Sequence, residues 1–261
     1  KIESLVLSLL IFCIPAYVHL VQIVLPNIKI PFITSLSFYE LRFPRPSVSK
    51  IYLLFFLFIL IFKNQGEKFK LWELSVIGFI FAAMFGSVYY NLITSIIAFT
   101  LYYFYIINFN FKDIKDYIKD SFIVIFSFIL FSLPLITILI NAEPDYLTRV
   151  GLIALDFDKR LIILQHLFDK LISFEFISIF LILTGSYFFL KKKNIAKIEA
   201  INLLYFLYLG SSLAPILFII FSPTASEMYH FMNIMVSTAF FVLIIFIFLI
   251  SFYLIKNFFI K

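Results

Sequence analysis

A single cysteine, little charge and no glycine-rich loop set the first limits on this chain. Cys13 stands alone within an apolar run. No intrachain disulfide can form, and one thiol cannot build a cysteine zinc site or an iron–sulfur cluster. The three histidines, His19, His166 and His230, never fall as a pair on one helix, which argues against a bis-histidine haem. The absence of a glycine-rich phosphate loop excludes P-loop ATP hydrolysis. No repeat of fixed period is visible, so an inverted-repeat transporter is unsupported. Charged residues are only 14% of the chain, where a soluble domain carries about 25%.

What fills the space is hydrocarbon. The chain is 63% hydrophobic, and phenylalanine supplies 38 of its 261 residues. The mean hydropathy is +1.08. Such a chain lacks the polar surface to cover itself in water, so membrane lipid is its expected partner. The net charge of +6 is no nucleic-acid signal, because the lysines and arginines sit in short clusters between apolar runs and anchor helix ends. The run from Ser4 to Leu25 carries Pro15, His19 and Gln22 and has no small-residue cleavage site after it, so it is read as a membrane helix rather than a signal peptide. The chain begins at Lys1 without an initiator methionine, and the expectation is a piece of a longer protein.

A helix needs about 20 apolar residues to cross a bilayer. Charge-free intervals place spans at 4–25, 48–63, 71–87, 91–110, 121–141, 173–190, 200–222 and 231–255. The expected fold is all-α: a polytopic transmembrane helical bundle forming one domain over 1–261. The span at 48–63 is short and needs Lys50 and Lys63 to snorkel. Gly86 to Asn91 is the expected tight turn, and Pro215 is a candidate kink. Lys112 to Asp116 is read as a solvated loop or a short surface helix. With the N-terminus inside, more Lys and Arg fall on the inside segments than outside, including Lys63, Lys68, Lys70, Lys191, Lys192 and Lys193. The expectation is therefore N-in and C-in. Residues 152–172 follow a helical pattern in which Leu161, Leu164, Leu167, Phe168, Leu171 and Ile172 share one side. Asp158, Lys159, Gln165, His166, Asp169 and Lys170 share the other, and Arg160 alone intrudes on the apolar arc. This is an amphipathic helix expected to lie in the membrane interface.

Three polar segments could carry chemistry, and all fall outside under this topology. The first runs from Ser222-Pro223 to Glu227-Met228-Tyr229-His230, a short polar break between two long spans. Glu227 and His230 share a face if the next helix has begun by Ser226, and they suit an acid–base pair or the holding of a pyrophosphate. They would equally serve as a helix-start acid and an interfacial histidine. The second comprises Glu143, Asp145, Tyr146 and Arg149, where Arg149 could clamp a phosphate bidentately or pair with Asp145 in a solvated loop. The third is Arg42 and Arg45 beside Glu40, in an extended proline-bearing segment, with headgroup binding as the plain alternative. His19 and Gln22 suit helix pairing.

This layout resembles the bacterial GT-C-type membrane glycosyltransferases and, more loosely, O-antigen polymerases. The carriers are the multispan bundle, the long outside loop with its interfacial helix, and the Ser222-Pro223…Glu227-Met228-Tyr229-His230 turn before a late span. The resemblance implies sugar transfer from a polyprenyl-phosphate donor on the outer face of the inner membrane. It implies an acid acting as base on the acceptor hydroxyl, with Arg149 or a metal holding the donor phosphate. No metal ligand set is visible in the residues themselves. It also implies an essential acid in the first outside loop, where Glu40 is the only one. A transporter or flippase, or a non-catalytic subunit of a membrane complex, is the competing expectation. Few ionisable residues fall within the spans, which weighs against coupled transport.

Overall fold

The computed structural model describes residues 45–87, 89–107, 114–141, 153–154, 156–221, 224–225 and 228–259. In an apolar solvent the backbone must satisfy its own N–H and C=O groups, so long apolar runs become helices. Eight helices occur among the described residues: α1 Arg45–Ile61, α2 Leu71–Ser87, α3 Tyr89–Ile106, α4 Ile114–Ile140, α5 Phe157–Leu171, α6 Phe174–Lys193, α7 Ile198–Phe221 and α8 Met228–Phe259. One ladder of two-residue strands, β1 Ile153–Ala154 and β2 Thr224–Ala225, completes the described elements.

Among the described residues, three helices are long and apolar enough to cross a membrane: α4, α7 and the Ile234–Phe258 part of α8. The pair α5 and α6, bent by 57°, makes a fourth if it is counted as one span. The part of α1 from Ile51 to Ile61 and the whole of α2 are shorter apolar helices. Among the described residues, three to four helices therefore meet the requirement outright, where eight spans are expected of the whole chain. In α3 the reason is compositional, since its tyrosines, Asn91, Thr94 and Ser95 dilute the apolar run. The expected span at 4–25 lies outside the described residues.

Several boundaries differ from expectation for local reasons. Helix α1 starts at Arg45, earlier than expected, with Pro46 in its first turn. Proline is tolerated there because the first helical N–H groups have no partner in any case. Helices α2 and α3 end and begin at Ser87 and Tyr89, so Tyr90 and Asn91 are helical rather than in a turn. Helix α4 begins at Ile114 and takes in residues expected to be a loop. Helix α7 runs through Pro215 without interruption.

Glycine decides how closely the helices meet. A Cβ on Gly210 of α7 would lie 2.7 Å from the Thr94 carbonyl oxygen and 3.1 Å from the Ala98 nitrogen of α3. A Cβ on Gly78 of α2 would lie 2.6 Å from the Val124 carbonyl oxygen of α4. Lipid tails are as apolar as leucine, so membrane helices associate through such close packing rather than by hydrophobic expulsion. Around these seams, Phe56, Phe81, Phe99 and Tyr102 pack with Leu203 and Leu207 in one core, and Leu183, Tyr208, Val242 and Phe246 form a second. The polar residues Asn91, Ser95, Asn202 and Ser211 are buried within this bundle. Outward, α4 exposes Phe122, Phe126, Ile129 and Phe131, and α1 exposes Phe55 and Phe58. Apolar surface of that extent marks contact with a membrane.

The helices run back and forth between two ends. At one end, the Gly66 N–H donates to the Ile106 carbonyl at 3.0 Å, Lys68 pairs with Asp116 at 2.7 Å, and Lys197 donates to the Ile61 carbonyl at 3.3 Å. This is the lysine end. At the other, Ile153 pairs with Ala225 and Ala154 with Thr224 in antiparallel register. This is the ladder end.

Candidate functional site

At the ladder end, backbone pairing joins two short strands that neighbour, in sequence, segments marked for chemistry. β1 follows the stretch containing Arg149, and β2 sits inside the polar break that leads to Glu227. Two segments far apart in the chain are thereby joined by backbone hydrogen bonding. Helix α1 ends at Ile61, whose carbonyl is at the lysine end, so its start at Arg45 belongs at the ladder end. Glu227, Arg149, Asp145, Glu143 and Arg42 lie outside the described residues. Of Arg45, Tyr229 and His230 only the backbone is described: Arg45 opens α1, and Tyr229 and His230 sit in the first turn of α8.

Beneath the ladder is an aromatic floor. Tyr90 of α3 meets Phe231 of α8 at 4.7 Å edge to face, and Phe231 meets Phe218 of α7 at the same ring distance. Tyr89 lies 4.2 Å from Tyr90, and its hydroxyl is buried with no hydrogen-bond partner among the described residues. Three helix ends are thus pinned below the polar segments by rings that have two torsions each to lose.

Arg160 is the residue at this end whose role the sequence pattern did not disclose. Its Nη1 donates to the Ile219 carbonyl at 2.6 Å. Ile219 is in the last turn of α7, where carbonyls have no partner within the helix and the dipole favours a cation. That explains the single charge on the apolar arc of α5: it faces protein, not lipid. Leu167, 1% exposed, is the residue of α5 fully covered by the bundle, and Arg160 is half-buried. Asp156 precedes the helix without capping it through its side chain, and its carboxylate pairs instead with Lys159 at 2.6 Å. His166 is exposed. Among the described residues no group of three or more His, Cys, Asp or Glu is placed to hold a metal ion.

No protein-family model matches this chain. Neither a curated protein nor a solved structure matches it either. Its chemistry has to be read from its own residues.

At the lysine end the geometry is more complete. Lys63 is 2% exposed, so it does not snorkel outward as expected. Its Nζ meets Glu73 Oε2 at 2.7 Å and Glu67 Oε1 at 3.4 Å, donates to the Lys68 carbonyl at 3.0 Å, and lies 5.1 Å above the Phe69 ring. Glu73 Oε2 also accepts the Lys70 N–H at 2.6 Å. The Asn64 backbone N–H, and after it the Lys63 charge, hold the Glu67 carboxyl below its usual pKa. Tyr102 donates to the Leu60 carbonyl at 3.1 Å, covering the end of α1. All ligand positions of this lysine come from its own loop and the helix that follows. The arrangement fixes the 62–70 loop under the bundle.

Proposed function

We propose that this chain is a multi-pass protein of the bacterial inner membrane, with about eight spans and N-in, C-in topology, that transfers a sugar from a polyprenyl-phosphate donor on the outer face. The observation that carries this reading is the ladder. Pairing of Ile153 with Ala225 brings the flank of the Arg149 segment to the flank of the Glu227 segment, at the end of the bundle away from the lysines. The orientation rests on Lys68, Lys70, Lys115, Lys119, Lys191, Lys192, Lys193, Lys197 and Lys256 at the other end, which the inner face of a membrane retains. In this reading Glu227 takes the proton of the acceptor hydroxyl as its oxygen bonds to the sugar carbon. The sugar–phosphate bond breaks and polyprenyl phosphate leaves, held by Arg149. His230, Tyr229, Glu143, Asp145, Arg42 and Arg45 surround the donor.

The test is native mass spectrometry of the full-length protein beside its Glu227→Ala and Arg149→Ala variants. Co-purified polyprenyl phosphate, lost in Arg149→Ala, supports the reading, and turnover retained by Glu227→Ala removes that residue from the mechanism. Finding bulk phospholipid alone in all three forms favours a second reading, a non-catalytic subunit of a membrane complex. That reading draws on the α3–α7 seam, where backbone approach at Gly210 fills the middle of the bundle.

A further inference from the structure

Helix α5 divides its circumference among three surroundings. At about 100° per residue, Arg160, Leu167 and Leu171 fall on one arc, which is the protein side: Leu167 is buried and Arg160 reaches the end of α7. Phe157, Leu161, Phe168 and Ile172 fall on the next arc, and every one of them is exposed. Asp158, Gln165, His166, Lys159, Asp169 and Lys170 fall on the third and are exposed as well, with Ile162 the one apolar residue among them. A helix crossing a bilayer cannot carry such an arc toward lipid, and a helix in water would not leave four large apolar side chains uncovered.

We propose that α5 is a surface helix seated in the leaflet at the ladder end, its Phe157–Phe168 arc in the acyl chains and its polar arc among zwitterionic headgroups. It is not half of a broken span with α6. Four observations identify bilayer lipid as the occupant of the exposed arc. Exposed apolar surface resumes just past the break at Phe174, 83% exposed, and at the exposed Ile177 and Leu181 of α6, so both helices need an apolar solvent. The break between the helices turns the chain by 57°, which takes α5 off the line of α6. Ser173 accepts the Phe176 N–H at 3.4 Å and caps α6 as an independent helix. The polar arc holds Asp158 and Asp169 with Lys159 and Lys170, so its charges cancel, whereas the lysine end is dominated by one sign. A surface helix of this kind buries its apolar face about 5–10 Å into the headgroup boundary.

The experiment places single tryptophans in the full chain, in a Trp72→Phe background that removes the only native one. Phe168→Trp reports the apolar arc, His166→Trp the polar arc and Leu181→Trp the middle of α6. The proteins are reconstituted in phosphatidylcholine vesicles brominated either near the headgroups or at the chain ends. The expected result is that Phe168→Trp loses most of its emission to the near-headgroup bromines and little to the chain-end ones. His166→Trp is quenched by aqueous iodide alone, and Leu181→Trp mainly by the chain-end bromines. A Phe168→Trp profile matching Leu181→Trp overturns the proposal in favour of a broken span. No lipid quenching of Phe168→Trp overturns it in favour of a protein-covered face. Quenching that needs phosphatidylglycerol, and is lost at high salt, overturns the zwitterionic assignment. None of these outcomes depends on whether the protein transfers a sugar.

Discussion

The last turn of α1 and the last turn of α7 both leave carbonyls without partners in their own helix, and the chain covers them differently. At the lysine end, the carbonyls of Leu60, Ile61 and Lys63 accept hydrogen bonds from the Tyr102 hydroxyl and from Lys197 Nζ. The same loop buries Lys63 against Glu73 and ties α4 through Lys68 and Asp116. At the ladder end the Ile219 carbonyl accepts one guanidinium N–H from Arg160. The difference teaches where each end gets its order. The lysine end is over-determined, with charge, hydroxyl and backbone donors from several helices converging on one loop. Among the described residues, the ladder end is held by an aromatic floor, two short strands and the Arg160 guanidinium.

The largest expected effect tests the buried pair. Glu73→Leu leaves Lys63 desolvated without its nearest carboxylate, which costs about 3–5 kcal/mol. Thermal unfolding of the full chain in detergent should show it, and adding Lys63→Met should restore most of the loss. If Glu73→Leu unfolds with the wild type, the lysine end is not the rigid one and the comparison fails. The next effect sharpens the contrast from the other side. Arg160→Ala strips a charged donor from a buried carbonyl, at a cost of about 1.5–3 kcal/mol. Amide exchange should quicken at Ile153, Ala154, Thr224 and Ala225 and stay unchanged at Asn64 and Gly66. Quickening at both sets would mean that the two ends open as one unit.

The smallest effect concerns acid. Glu67 is held below its usual pKa of 4.5, first by the Asn64 N–H and then by the Lys63 charge. A depressed carboxylate adds stability that is complete above the ordinary value and is lost as pH falls through the lowered one. Emission of Trp72, which adjoins Glu73, should therefore change on acidification below 4.5. Glu67→Gln should flatten that change, and an unaltered titration in this variant would assign it to another group.

Much of the architecture was legible before any coordinates. Phenylalanine-rich runs interrupted by lysine clusters mark helices and their ends, and α2 occupies the expected interval 71–87. The amphipathic pattern of α5 was equally plain, because periodicity is a local property of the chain, but the helix expected from 152 begins at Phe157, with β1 at Ile153–Ala154 before it. Boundaries moved where local signals competed: Pro46 was read as a helix breaker and stands in a first turn, where its missing N–H costs nothing. Lys63 was read as a snorkelling charge, since nothing in its neighbourhood announces that Glu73, ten residues on and across a turn, would fold back on it. Arg160 stood out as an exception on an apolar arc, but its partner is a backbone carbonyl, and a carbonyl has no sequence signature.

By itself, the sequence determined the solvent. A chain with so little charge and so much hydrocarbon folds as helices facing lipid, because only internal hydrogen bonding satisfies a backbone there. It also marked the lysine clusters near which those helices stop, whereas proline did not decide it, since α7 runs through Pro215. Which helices touch was left to the tertiary structure. Gly210 meets Thr94 and Gly78 meets Val124 because shape complementarity, not hydrophobicity, selects partners in lipid, and shape exists only after the helices do. The pairing of Ile153 with Ala225 is of the same kind. A two-residue ladder has no pattern to announce it, and it forms because the bundle brings those two backbones within reach of each other.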